Sequence, residues 1–166
     1  MYPHVVGIQL LHVTQAALAG YGVYQSYVAV TNLRLYEQTS EKLADWSNEA
    51  AHQLHKTRTT QTSGALAILA SLVTATALAI QGDDLPGWVK SFANPALLLG
   101  VFFARGHIKS YWAPSDGKTV GFKVPMPGMQ QYNEAQTKTE RLLQVLEWLQ
   151  YSWVVTSLAA TFGGYS

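Results

Sequence analysis

Charged residues are missing from long blocks of this chain. No Asp, Glu, Lys or Arg occurs over 5–33, 59–82 or 148–166, and apolar and small residues dominate each block. A membrane-spanning helix needs roughly 17–25 mostly apolar residues to cross about 30 Å of hydrocarbon, so three blocks pass the length test. A fourth block, 91–104, is bounded by Lys90 and Arg105. At about 1.5 Å per residue it covers about two-thirds of that thickness. Carried on through Arg105, His107 and Lys109 to Trp112 it is long enough, with its basic heads snorkelling or turned into a bundle. The pattern predicts an all-α fold, an integral membrane bundle of about four transmembrane helices over 5–33, 63–81, 91–112 and 146–163 in one domain.

The segments between the blocks are also patterned. Over 36–56, Leu43, Trp46, Ala50 and Leu54 recur at three- and four-residue steps, an apolar stripe on a charged helix. The expectation is a separate polar helical extension after the first span, with Ser40 as its cap. Gly82-Asp83-Asp84-Leu85-Pro86-Gly87 signals a tight turn between the second and third spans. Trp88 sits where an interfacial anchor belongs. After Trp112, Pro114, Pro125, Pro127 and Gly128 punctuate a long irregular loop of the kind that is functional or disordered. A polar helical stretch over 130–147 then leads into the last span.

Composition narrows the class. A chain of 166 residues suits one compact domain. Only 13% of it is charged, about half the share of an average soluble domain. The mean hydropathy of +0.04 is low for four spans, and Gln9, His12, Gln15 and Gln25 inside the first block lower it. A soluble four-helix bundle with unusually apolar helices is the alternative. The absence of cysteine removes disulfides, thiolate metal sites and CxxC redox chemistry. Met1-Tyr2-Pro3-His4 has no basic residue, so a cleavable signal peptide is not expected.

Basic residues orient the spans. Arg34, Lys42, Lys56 and Arg58 lie in the first large loop, and Arg105, Lys109, Lys118, Lys123, Lys138 and Arg141 in the second. The positive-inside rule puts both loops in the cytoplasm and both termini in a lumen or outside. The expected location is the endoplasmic reticulum or another internal membrane, with the lipid bilayer as partner. No nucleic-acid partner is expected, and a homo-oligomer stays open.

Several residues are able to carry chemistry. His52 and His55 share a helix face, with Asp45 and Glu49 one and two turns earlier. Such a face can bind a metal or hold a base oriented by a carboxylate, or be a solvated surface. His-x-x-His alone is a weak metal signal, and no metal is expected. Arg105, His107 and Lys109, with Tyr111 and Trp112 beside them, form either a snorkelling belt or a cationic rim for an anionic substrate. His12, with Gln9 and Gln15, is the most unusual feature of the first block, and a neutral histidine bonded between helices accounts for it. Tyr21, Tyr24, Gln25 and Tyr27 add a polar, aromatic lining. Five Trp, nine Tyr and five Phe exceed the needs of two membrane belts, and the surplus can wall a pocket for a flat aromatic ligand.

Taken together, the pattern resembles the small four-span anthrone oxygenase-like membrane proteins. Over 19–26 the chain is similar to that family's small-residue first span, and over 43–52 to its Trp-containing segment before the second. Ser110-Tyr111-Trp112-Ala113-Pro114-Ser115-Asp116-Gly117 resembles its Pro-Thr-Asn turn, with Asp116 where the family has Asn. The terminal span from Trp148 to Gly164 is similar too, without the arginine usual there.

The resemblance implies oxygenation of an anthrone or related polyketide phenol to a quinone, with dioxygen as co-substrate and no cofactor. A base removes the acidic proton, the carbanion passes an electron to dioxygen, and recombination with loss of water leaves the carbonyl. On that expectation His52, His55 and His107 are the candidate bases. Arg105, Lys109, Tyr111, Trp112, Trp46 and Tyr24 are the candidate substrate contacts. The competing class is a non-catalytic accessory subunit of a larger membrane complex. A glutathione- or lipid-handling transferase ranks below both, and claudin- and tetraspanin-type proteins are disfavoured by the missing cysteines.

Overall fold

The computed structural model describes residues 3–44, 48–81, 84–112 and 129–163. They form α1 (Pro3–Ala44), α2 (Asn48–Gln81), α3 (Gly87–Trp112) and α4 (Met129–Gly163), with no strand among the described residues. Pro3 opens α1, where a missing N–H goes unnoticed. The expected tight hairpin between α2 and α3 is present. The Asp84 and Leu85 amides donate to the Gln81 carbonyl at 3.0 and 3.1 Å, and the Val89 amide donates to that of Pro86 at 2.9 Å.

The polar stretch 36–56 is not a separate helix. α1 runs through Ser40 to Ala44 and α2 starts at Asn48, so the stretch is divided between two helix ends. No Gly or Pro interrupts 36–44 or 48–56, so helix propensity carries each rod past its apolar block. Trp46 lies outside the described residues, as does the loop over 113–128. In the same way, 130–147 and the last apolar block are one helix.

The helices form a square, up-down-up-down bundle. Neighbours are α1–α2, α2–α3, α3–α4 and α4–α1; α2 and α4 meet lightly across one diagonal. The buried positions follow three- and four-residue steps. On α2 they are Thr57, Thr60, Gln61, Gly64, Ile68, Ser71, Ala75 and Leu78; on α4 they are Ala135, Thr139, Leu142, Val145, Leu146, Leu149, Trp153 and Thr156. Two glycines make the close approaches: a Cβ on Gly64 would stand 2.7 Å from Ile108 Cδ1 on α3, and one on Gly22 would stand 2.9 Å from both Ile68 Cδ1 on α2 and Val145 Cγ1 on α4.

Pro95 sits inside α3, beyond the first turn, and supplies no amide to the preceding turn. Beside it, Asn94 Nδ2 donates to the Lys90 carbonyl at 3.4 Å. Among the described residues two helical stretches are long and apolar enough to cross a membrane, His55–Gln81 and Gly87–Trp112. The second carries the expected third span through Arg105 to Trp112.

Candidate functional site

Antiparallel packing brings the end of α1, the start of α2, the end of α3 and the start of α4 together at one end of the bundle. Most of the charge gathers there. Glu37 and Arg58 clamp α1 to α2 by two bonds, Nε to Oε1 at 2.9 Å and Nη2 to Oε2 at 3.1 Å. Such a fork adds geometric specificity beyond a point-charge pair. Deeper in, Gln61 Nε2 donates to Thr139 Oγ1 at 2.7 Å across the α2–α4 diagonal.

Tyr111 and Trp112 brace α3 against α2. The Tyr111 and Thr57 hydroxyls bond at 3.1 Å, and Trp112 Nε1 donates to Thr60 Oγ1 at 3.0 Å. The two rings meet edge-on, with centroids 5.3 Å apart. Trp112 is buried and Tyr111 half-buried, so their polar atoms point into the bundle. Two turns before Trp112, Arg105 Nη2 donates to Glu147 Oε1 at 2.8 Å and ties α3 to α4.

The other expected site residues scatter. His55, His107 and Lys109 are exposed, and His52 lies in α2 with its side chain outside the described residues. Thr57 meets Tyr111, so His55 lies two residues past that level and His107 four before it. At about 1.5 Å per residue the two histidines stand about 9 Å apart along the axis. Tyr24 is exposed, with Lys138 Nζ 6.0 Å from its ring centroid, at the outer limit of a cation–π contact. Asp45 is outside the described residues. No cluster of three or more His, Asp or Glu able to hold a metal occurs among the described residues.

A second polar cluster lies towards the opposite end. His12 Nδ1 bonds Gln15 Oε1 at 2.9 Å, and Gln15 Nε2 donates to Thr156 Oγ1 at 2.8 Å. The Thr156 hydroxyl donates to the Ser152 carbonyl. The His12 ring lies against Trp153, centroids 6.1 Å apart and tilted by 45°. All four side chains that make this cluster, His12, Gln15, Thr156 and Trp153, are buried.

Comparison with protein-family models, with curated proteins and with solved structures finds no match.

Glu147, Thr57, Thr60, Gln61, Thr139, Thr156 and Trp153 were not among the expected site residues. A signal for most of them was in the chain. Thr57, Gln61, Thr139, Trp153 and Thr156 keep the three- and four-residue phase of the apolar positions on their helices, which marks polar groups turned inward. Glu147 carries no such mark, since its partner is far away in sequence.

Proposed function

We propose that this chain is a four-span integral membrane protein. The observation that carries the proposal is the apolar exterior of all four helices, together with polar side chains among the buried residues of each. Large apolar side chains face outward: Leu10, Val13 and Tyr27 on α1, Leu66, Val73 and Ile80 on α2, Phe92, Leu99 and Phe103 on α3, and Trp148, Leu158 and Phe162 on α4. His12, Gln15, Gln25, Ser71, Asn94, Thr139 and Thr156 face inward. Water penalises so broad an apolar exterior, whereas lipid rewards it and drives polar groups inward. Exposed hydroxyls agree. Thr14, Thr31, Thr62 and Thr161 each donate to the carbonyl four residues back, which satisfies them without solvent.

Thickness supports four spans as well. Arg105 and Glu147 interrupt the uncharged layer, but they cancel each other at 2.8 Å. Past that pair, α3 runs from Lys90 to Lys109 with no other charge, about 28 Å, and α4 from Arg141 to Gly163, about 33 Å. Both match a hydrocarbon core of about 30 Å. The loop charges favour cytoplasmic placement of 34–58 and 105–147, with both termini across the membrane, lumenal or external. Cysteines introduced as Asp83→Cys and Ser115→Cys into this cysteine-free chain are expected to label from opposite sides of sealed vesicles. Labelling of both from one side would overturn the arrangement.

As its activity we propose cofactor-independent oxygenation of an anthrone or related polyketide phenol near the cytoplasmic end. The resemblance of the sequence supports it, together with Arg105, Tyr111, Trp112 and His107 lying within two turns of α3. Removal of one ring-methylene proton, electron transfer from the carbanion to dioxygen, recombination and loss of water convert the methylene to a carbonyl, one dioxygen giving one quinone oxygen and one water. Purified protein in vesicles is expected to take up oxygen with an anthrone. His52→Ala, His55→Ala or His107→Ala, whichever removes the base, is expected to lower turnover by about 10²–10⁴-fold. A specific observation favours the second reading, a non-catalytic accessory subunit. Arg105, Tyr111 and Trp112 already use their polar atoms between helices. Absence of oxygen uptake with every anthrone tried would decide for it.

A further inference from the structure

Pro95 divides α3 into two unequally held halves. Of the buried residues of this helix, Asn94 alone precedes Pro95, whereas Val101, Ala104, Ile108 and Trp112 follow it. Arg105, Tyr111 and Trp112, which bond α3 to α4 and α2, also follow it. Pro95 has no amide to donate, so the Ser91 carbonyl lacks its helical donor and the turn between them loses one bond. Gly100, five residues on, is a second weak point. A Cβ there would meet nothing within 4 Å, and glycine is a poor helix former.

A helix that lacks a backbone bond bends there most easily, and the half with less burial is the half that moves. We propose that Pro95 is a hinge, about which 87–94 swings away from α2 and α4 while 101–112 stays docked. Asn94 is the one buried side chain that the swing carries outward. Its amide donates to the Lys90 carbonyl at 3.4 Å, inside the moving half, so that bond travels with it. The Arg105–Glu147 pair sets the level of α3 against antiparallel α4. Eleven residues back from Arg105 is Asn94, and eleven on from Glu147 is Leu158. The moving half therefore borders the stretch of α4 that carries Thr156, and the swing opens the bundle laterally at the level of the Gln15–Thr156 bond. The hinge does not depend on the oxygenase reading.

Spin-label distances across the α1–α3 diagonal, one on each side of Pro95, test the hinge in the full chain in lipid nanodiscs. Val13→Cys with Trp88→Cys reads the half before Pro95, and Thr31→Cys with Ser110→Cys reads the half beyond it; all four positions are exposed. Trp88 lies about 10 Å from Pro95 along the axis. A swing of about 20°, the size of a proline kink, moves it by about 4 Å. The Val13–Trp88 pair should therefore show two distances about that far apart, and the Thr31–Ser110 pair one. Pro95→Leu restores the backbone donor with an apolar side chain and should leave the shorter Val13–Trp88 distance alone. A single Val13–Trp88 distance, equal spread in the two pairs, or two distances that persist in Pro95→Leu would each overturn the hinge. The two pairs with Pro95 in place decide even where Pro95→Leu does not assemble.

Discussion

Arg105→Ala is expected to destabilise the bundle by about 2–3 kcal/mol, the order of leaving one charge unpaired in a membrane. The Arg105–Glu147 bond is the link that lets α3 and α4 carry ionisable groups inside their apolar lengths. The Arg105 side chain is 23% exposed and that of Glu147 40%. In water such a pair would be worth under about 1 kcal/mol. The size of the loss therefore distinguishes lipid from water around this level of the bundle. Glu147→Ala should cost a similar amount, by stranding the guanidinium. The exchange Arg105→Glu with Glu147→Arg should recover much of the loss, because the pair rather than either residue is what the layer needs. Thermal unfolding in lipid nanodiscs reads all four proteins. Independent, additive losses in the double variant would show that the two side chains are not coupled.

Gly22→Ala and Gly20→Ala, two residues apart on α1, are expected to move stability in opposite directions. A Cβ on Gly22 meets Ile68 Cδ1 and Val145 Cγ1 at 2.9 Å, and Ile68 Cγ2 at 3.2 Å. Those atoms belong to β-branched side chains buried on two other helices, with little freedom to move aside. Overpacking of that kind costs about 1–3 kcal/mol, and Gly22→Leu should prevent assembly of α1 with α2 and α4. A Cβ on Gly20 meets nothing within 4 Å. There Ala removes glycine's conformational entropy, worth up to about 1 kcal/mol in a helix. Melting temperatures of the two variants check the contrast. Equal destabilisation would mean that α1 packs on a different face.

Element type was legible in the chain, because charge-free blocks and three- to four-residue apolar spacing are local properties. The sequence by itself determined four helical apolar stretches, a tight connection after Gln81, and a third helix running through Arg105 to Trp112. It did not determine where the polar extension breaks. The apolar stripe of Leu43, Trp46, Ala50 and Leu54 reads as one helix, but the structure divides the stretch between α1 and α2. No Gly or Pro marks the division.

The candidate site depended on pairings that no local pattern encodes. Arg105 and Glu147 are distant in sequence, as are Gln15 and Thr156. Only antiparallel packing of α4 against α3 and α1 brings them to one level. From sequence, His12 has a packing role and the outer histidines a chemical one. The tertiary structure leaves His55 and His107 on the surface and buries the His12 ring against Gln15. Helix periodicity assigns a face to each residue, but the axial register between helices decides which faces meet, and that register is set by close contacts such as those at Gly22.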